Sequence, residues 1–269
     1  MLYIDKSYSM RGVFMKSVIN SFIIAIAMYS KIPMPKVDWN RQNMKYSICF
    51  FPLVGAVIGA ILYAWGRICI ACGFGQVCFA LVGAVIPVIV TGGIHVDGFM
   101  DTSDALHSYA EKEKKLEILK EPHIGAFSVI TVIGYFLLFV AGLTQIWKEE
   151  HLLLLAIGFV ISRTLSGMSL VWFQGAKKDG LLYQFSSTAH KKTVRVVLVT
   201  ILACCFISAV LLSPVIGSIM ALAAMWVWTY YYYMSRKQFG GITGDLAGYF
   251  LCLCELSTVL IVGLLGRIM

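Results

Sequence analysis

Residues 47–66 read SICFFPLVGAVIGAILYAWG, twenty consecutive residues without a charged side chain. A helix needs about twenty apolar residues to cross the hydrocarbon core of a bilayer. The sequence therefore predicts an all-α, polytopic integral membrane bundle of about seven transmembrane helices. The shorter apolar run 17–30 is an eighth span, an interfacial helix or a re-entrant helix. The other predicted spans are 68–91, 125–147, 152–173, 195–212, 217–234 and 246–266.

The composition supports a membrane protein. Hydrophobic residues make up 59% of the chain and charged residues only 13%, whereas soluble domains carry about 25% charged residues. This shortfall excludes an ordinary soluble enzyme. No low-complexity linker divides the chain, so we expect one membrane domain over residues 1–269. The net charge of +8 suits anionic lipid heads and phosphorylated substrates, and it does not require nucleic acid.

Basic residues are concentrated in alternate loops. Lys and Arg collect in the cytoplasmic loops of membrane proteins, so we expect these loops to lie on the cytoplasmic side of the membrane. The breaks between them are poor in positive charge; one contains only Arg67, and another is predicted at Ser213-Pro214. The four basic loops are 31–45, 95–124, 174–195 and 235–245.

The loop 95–124 contains the strongest chemical pattern. Asp97, Asp101 and Asp104 are spaced i, i+4 and i+7, which places them on one face of a helix. Three carboxylates on one face repel one another unless a cation neutralises them, and Mg²⁺ prefers oxygen ligands of this kind. The pattern favours a Mg²⁺ site over a merely solvated acidic face.

A second glycine-rich stretch, residues 240–248, opens the last predicted span. Asp245 would lie at the cytoplasmic end of that helix and would complete the metal site. Glycines let a backbone approach a phosphate closely and expose N–H donors. We therefore expect Gly92, Gly93 and Gly244 to contact a phosphorylated substrate.

Several other polar residues are candidates for the site. Arg163 and Glu255 fall at membrane depth, where a charged group is costly and is a functional candidate by default. They either pair with each other or bind substrate, and the two roles are compatible. His95 could serve as a base or as a phosphate donor. Lys120 and His123 could reach a diphosphate or face lipid head groups.

The order and spacing of these motifs, from about residue 45 onward, resemble the cobalamin synthase (adenosylcobinamide-GDP ribazoletransferase) family. The sequence differs from many relatives at His123, where an arginine is common, and at Cys252, where a carboxylate is common. The matching motifs are Gly92-Gly93-x-His95-x-Asp97-Gly98-x-x-Asp101-x-x-Asp104, Leu116 to Lys120, Gly125-Ala126-Phe127, Ser162-Arg163 and Gly241-x-Thr243-Gly244-Asp245-x-x-Gly248.

The resemblance implies a Mg²⁺-dependent transferase of a bacterial or archaeal cell (inner) membrane, with its active site on the cytoplasmic face. It would join adenosylcobinamide-GDP to α-ribazole or its 5′-phosphate and release GMP. Membrane lipid is an expected partner, nucleic acid is not, and a homo-oligomer stays open. Predicted catalytic residues are His95, Asp97, Asp101, Asp104 and Asp245, the four aspartates also being metal ligands; predicted substrate-binding residues are Gly92, Gly93, Lys120, His123, Arg163, Gly244 and Glu255.

Two other classes of protein remain as alternatives. A CDP-alcohol phosphotransferase-like enzyme also uses aspartates at helical spacing with a metal, but it usually has Ala-Arg where Asp101-Thr102 stands here. A cation transporter could use Asp97, Asp245 and Glu255 as an ion path. A transporter should hold its acids near the middle of the bilayer, whereas most of these acids are expected at one face.

Overall fold

The computed structural model describes the backbone of residues 3–268 and the side chains of residues 14–268. This part of the chain forms twelve helices and no β-strand. Their bounds are α1 Tyr3–Tyr29, α2 Arg41–Met44, α3 Ser47–Cys72, α4 Gln76–Thr91, α5 Ile94–His107, α6 Lys112–Ile118, α7 Ala126–Leu143, α8 Glu149–Trp172, α9 Gly180–Thr188, α10 Lys191–Leu212, α11 Pro214–Phe239 and α12 Gly244–Ile268.

Within residues 3–268, six helices are long and apolar enough to cross a membrane: α3, α7, α8, α10, α11 and α12. The pair α4 and α5 makes a seventh candidate span, broken by a bend of 95°. The prediction of an all-α polytopic membrane protein is therefore confirmed. Side chains such as Leu137 on α7 and Leu211 on α10 are 67% and 78% exposed, as expected of surfaces that face lipid.

Helix α8 forms the centre of the bundle, with 83% of its most apolar stretch buried. It packs against α3, α10 and α12. The α3–α8 contact is close because a Cβ atom on Gly59 would lie only 2.7 Å from the Cα atom of Ala156. Small residues at such crossings let membrane helices pack through their backbones.

The predicted start of the second span at residue 68 was wrong. Helix α3 continues through Arg67 to Cys72 and ends at Gly73, which has a positive φ of 69°. Arg67 can lie within the helix because its guanidinium is exposed and pairs with Glu149 at 2.6 Å. The break predicted at Ser213-Pro214 is confirmed, since α10 ends at Leu212 and α11 begins at Pro214.

Helix α1 crosses the beginning of α3. Phe14 contacts Tyr46, Phe22 contacts Phe50, and Tyr29 contacts Phe51. Residues 14–29 of α1 thus pack against Tyr46 and the first turn of α3. Its apolar part, Phe14–Tyr29, is shorter than the helices that qualify as spans.

The four basic loops meet at one end of the bundle. Contacts between their backbones and side chains hold this end together, and the opposite end carries the α3–α4 turn and the start of α8. The joining hydrogen bonds are His190 N–H to the Lys45 carbonyl (2.9 Å), Lys115 Nζ to Gln238 Oε1 (2.6 Å) and Ile242 N–H to the Gln174 carbonyl (2.9 Å).

Candidate active site

Two glycines make the bend between α4 and α5. Gly92 and Gly93 have φ values of 67° and 81°, a backbone region that residues with a side chain rarely adopt. Gly92 ends α4 and Gly93 precedes the first residue of α5. The Lys31 side chain packs over Gly92. Neither glycine lines the main cavity of the bundle, so the turn accounts for both of them.

Helices α5 and α12 cross with their backbones in contact. A Cβ atom on Gly98 would lie 2.8 Å from the Cα atom of Asp245, and one on Gly248 would lie 2.8 Å from the His95 carbonyl oxygen. Side chains other than hydrogen would not fit at either position. The crossing sets Asp97, which precedes Gly98 on α5, beside Asp245 on α12.

The four aspartates of α5 and α12 differ in whether they line the main cavity. Asp101 lies close enough to Asp97, Asp104 and Asp245 for their charges to interact, and Asp245 also interacts with Lys177. Of the four aspartates, Asp97 and Asp245 line the main cavity. Within the described residues no group of three or more His, Cys, Asp or Glu side chains is arranged to hold a metal ion.

The chemistry of the carboxylate pair fits magnesium. Mg²⁺ is commonly held by one or two protein carboxylates, with substrate phosphates and waters completing its shell. Asp97 and Asp245 supply two carboxylates from facing helices at the edge of a cavity.

The cavity has a volume of about 480 Å³ and lies at the end of the bundle formed by the basic loops. Pockets of this size typically hold one small-molecule substrate or part of a larger one. The charged and polar residues that line it include His95, Asp97, Lys120, Lys177, Asp179, Thr243, Gly244 and Asp245. The apolar residues that line it include Met28, Tyr29, Phe51, Leu170, Leu182, Phe185 and Leu251.

Lys177 and Lys120 bring two positive charges to the cavity. The pKa of Lys177 is lowered from its ordinary value, first because burial desolvates its ammonium group and second because Lys120 lies nearby. The Lys177 ammonium donates to the Leu116 carbonyl at 3.4 Å. Two ammonium groups this close favour binding of an anion between them.

Lys177 and Asp179 also line the cavity, although no motif in the sequence points to them. Their loop is fixed by pairing of Gln174 and Ala176 with Ile242, at 2.9 and 3.0 Å. In the sequence, Lys177 is simply one of several basic residues in the loop 174–195. Its distance along the chain from Lys120 and Asp245 left no spacing signal by which to find it.

Asp104 and His123 lie away from the cavity. The Asp104 carboxylate accepts backbone N–H groups of Gly125 and Ser128, at 2.6 and 3.3 Å, at the start of α7. His123 is exposed in the segment between α6 and α7. Neither residue is among those lining the cavity.

Arg163 and Glu255 form an ion pair inside the bundle, with only 1% and 5% of their side chains exposed. Arg163 also donates to the Ser162 hydroxyl at 2.9 Å. The pair lines a separate small cavity of about 10 Å³ together with His95. His95 therefore stands between the buried ion pair and the main cavity, which it also lines.

The fold and the site define a polytopic membrane protein with a charged cavity at one end of its helical bundle. The chain belongs to the cobalamin-5-phosphate synthase family, whose sequence profile matches residues 21–263. The resemblance inferred from the aspartate and glycine motifs is thereby confirmed.

Named relatives match over nearly their whole length. The adenosylcobinamide-GDP ribazoletransferase of Lachnoclostridium phytofermentans is 43% identical over 244 residues, which are 91% of this chain and 93% of the relative. The protein of the same name from Clostridium perfringens is 31% identical over 253 residues, covering 93% of this chain and all of the relative. No solved structure matches the chain.

Proposed function

We propose that this chain is an adenosylcobinamide-GDP ribazoletransferase, which joins adenosylcobinamide-GDP to α-ribazole or its 5′-phosphate and releases GMP. Relatives that match this chain over nearly their full length carry this name. The structural observation that carries the proposal is the cavity in which Asp97 and Asp245 lie beside Lys120 and Lys177. Carboxylates that hold a cation, together with ammonium groups, suit a diphosphate substrate.

The reaction exchanges the phosphoanhydride bond of adenosylcobinamide-GDP for a phosphate ester bond to ribazole. A ribose hydroxyl of ribazole attacks the phosphorus attached to cobinamide, the bond from that phosphorus to the bridging oxygen breaks, and GMP leaves with the bridging oxygen. The attacking hydroxyl cannot be the one at C5′, because that position carries the phosphate in the phosphorylated substrate. The proton of the attacking hydroxyl must pass to a base.

Residues of this chain divide the remaining tasks. Asp97 and Asp245 would hold Mg²⁺, which when bound neutralises charge on the diphosphate and on departing GMP. Lys120 and Lys177 would hold phosphate oxygens from the loop side of the cavity. His95, which lines the cavity one helical turn or less from Asp97, is the candidate base.

The site would work at the cytoplasmic face of the cell (inner) membrane. The cavity lies at the end of the bundle where the basic loops meet, and basic loops remain on the cytoplasmic side. The transporter alternative is less suited to this arrangement, because Glu255 is paired with Arg163 and does not continue a path from Asp97 and Asp245.

The test is release of GMP by the purified protein from adenosylcobinamide-GDP. We expect release to require both α-ribazole and Mg²⁺, with one cobalamin product formed for each GMP. Release without α-ribazole would indicate a hydrolase, and no release under any condition would contradict the proposal. Asp97→Asn serves as the inactive control.

A further inference from the structure

The segment around helix α6 brings Lys120 to the main cavity, although most of the segment is exposed. Of residues 109–124, all of which the structure describes, only Lys115 and Leu119 are buried. The others are exposed or half-buried, as expected of a connection between two larger helices. The burial of this segment therefore depends on two side chains, one charged and one apolar.

Lys115 has an unusual environment for a lysine. It is only 5% exposed, and its ammonium group donates to Gln238 Oε1 at 2.6 Å, near the end of α11. Burying an ammonium group beside a neutral amide costs free energy that an apolar side chain would not cost. Packing alone would favour leucine or methionine at this position, and only the lysine adds a hydrogen bond to α11.

The end of α11 also fixes the loop that carries Lys177. The Ile242 N–H donates to the Gln174 carbonyl at 2.9 Å, and the Ile242 carbonyl accepts the Ala176 N–H at 3.0 Å. Residues 238–242 therefore hold both α6 and the Lys177 loop, just before α12 begins. The two cavity lysines thus come from segments that are attached to one short stretch of chain.

A short path of hydrogen bonds joins Lys115 to the cavity lysines. The Lys115 carbonyl accepts the Leu119 N–H at 3.2 Å, and Lys120 follows Leu119 directly. The next carbonyl along the chain, that of Leu116, accepts the Lys177 ammonium group at 3.4 Å. A shift of α6 away from α11 would therefore move Lys120 and would also remove a hydrogen-bond acceptor from Lys177.

We propose that Lys115 is a positioning residue for the substrate diphosphate, an inference that rests on the proposed function. Its hydrogen bond to Gln238 fixes α6 on the same stretch of chain that fixes the Lys177 loop. The ammonium groups of Lys120 and Lys177 are thereby held in a fixed relation to each other, so that both contact the diphosphate. Lys115 does not line the cavity and acts only through these two lysines.

Binding of inorganic pyrophosphate to the full-length protein, with Mg²⁺ present, tests the positioning role without depending on turnover. Lys115→Met keeps the length and the apolar stem of the side chain and removes the ammonium group. We expect the affinity for pyrophosphate to fall at least about tenfold, the size expected when the hydrogen bond of a charged group is lost. The KM for adenosylcobinamide-GDP should rise by a similar factor, and the KM for α-ribazole should stay unchanged.

Thermal unfolding in detergent separates positioning from a purely structural role. Methionine at position 115 buries no charge, so Lys115→Met should unfold at or above the wild-type temperature. Gln238→Met should reduce pyrophosphate affinity as Lys115→Met does, and the double variant should lose no more than either single variant, because both changes remove the same bond. Gln238→Glu keeps an acceptor oxygen and should retain near-wild-type affinity.

The matched control is Lys114→Met, because Lys114 is an exposed lysine of the same helix and pairs with Glu117 at 3.2 Å. Its pyrophosphate affinity should stay near the wild-type value. An equal loss of affinity in Lys114→Met would show that net charge alone matters, and it would overturn the positioning role. Unchanged affinity in folded Lys115→Met or Gln238→Met, or a wild type that does not bind pyrophosphate, would overturn it as well. By contrast, pyrophosphate binding that depends on Lys115 and Gln238, in a protein that releases no GMP, would support the positioning role and contradict the proposed reaction.

Discussion

The Asp104 carboxylate accepts the backbone N–H of Gly125 at 2.6 Å and so ties the acidic helix α5 to the start of α7. Its second oxygen accepts the N–H of Ser128 at 3.3 Å. The first N–H groups of any helix have no partner within that helix, and a carboxylate stabilises them by hydrogen bonding and by charge. Asp104 thus performs a capping role that the aspartate spacing alone does not reveal.

Replacement of Asp104 should lower the stability of the protein more than its turnover. Asp104→Ala removes both acceptors at the start of α7, and we expect it to lower the free energy of unfolding by about 0.5–2 kcal/mol. Thermal unfolding in detergent would measure the loss. Asp104→Asn keeps one oxygen acceptor and should fall between Asp104→Ala and wild type, with substantial turnover remaining. An Asp104→Asn protein with wild-type thermal stability and no turnover would instead make Asp104 a metal ligand.

Replacement of Asp97 or Asp245 should lower the rate of GMP release more than the stability of the protein. Asparagine keeps the shape of the side chain and loses the charge that a hard cation needs. We expect GMP release to fall at least about 100-fold in each variant, since metal stabilisation of the transition state contributes several kcal/mol. Removing Mg²⁺ with a chelator should have the same effect on the wild type, and added Mg²⁺ should restore it.

The matched control for these two variants is Asp38→Asn, because Asp38 is exposed and does not line the main cavity. It should have normal turnover. Near-normal turnover of the Asp97→Asn, Asp245→Asn double variant across a Mg²⁺ titration would rule out the carboxylate pair as the metal site.

The Arg163–Glu255 pair should act as a unit in folding. Removing one member of a buried ion pair leaves the other charge without a partner and typically costs about 3–5 kcal/mol. We therefore expect Arg163→Gln and Glu255→Gln each to reduce the yield of folded protein, and the double variant to recover it. Yield is measured as monodisperse protein after purification. A substrate role for Arg163 predicts the contrary: normal yield, a raised KM for adenosylcobinamide-GDP, and no rescue by Glu255→Gln.

The lowered pKa of Lys177 gives a pH dependence with a defined sign. Only the ammonium form attracts a diphosphate, so kcat/KM for adenosylcobinamide-GDP should fall as pH rises through the lowered pKa. Lys177→Arg should remove this fall because arginine stays charged. Lys237→Arg, at an exposed lysine, is the control. An identical pH profile in wild type and Lys177→Arg would exclude Lys177 from substrate binding.

The same shift affects folding in the opposite direction. Between the lowered pKa and the ordinary lysine value, the unfolded chain binds more protons than the folded chain at Lys177. The contribution of Lys177 to stability therefore rises with pH in that window.

The orientation of the bundle can be tested by labelling of single cysteines after the eight native cysteines are replaced. Cysteines at the exposed positions Lys178 and Lys237 should react only with reagent that has entered the cytoplasm. Cysteines at Phe74 and Glu150, at the opposite end, should react with impermeant reagent outside. Labelling of Lys237→Cys from outside would contradict a cytoplasmic active site.

Features carried by local sequence were predictable, and features made by distant contacts were not. The spacing of Asp97, Asp101 and Asp104 predicted a helix with one acidic face, and α5 has this form. The break between α3 and α4 was misplaced because Arg67 was taken as a loop charge, whereas Gly73 ends the helix.

The limits of prediction are clearest at the cavity. Aromatic and aliphatic residues such as Tyr29 and Leu170 look like ordinary membrane-helix residues, and their place in a cavity follows only from how α1, α8 and α12 pack. The pairing of Arg163 with Glu255 was one of two open interpretations, since burial of both residues was predictable and their relative orientation was not.

The contact of α5 with α12 at Gly98 and Gly248 fixes the distance between the two helices. Because main chain touches main chain there, the two backbones fix how closely the helix segments that carry Asp97 and Asp245 approach each other. Neither helix can roll or slide without losing the contact. Selection among divalent ions depends on the size and rigidity of the space that the ligands enclose. The ionic radius that the site accepts would then depend on the absence of a Cβ atom at Gly98 and Gly248.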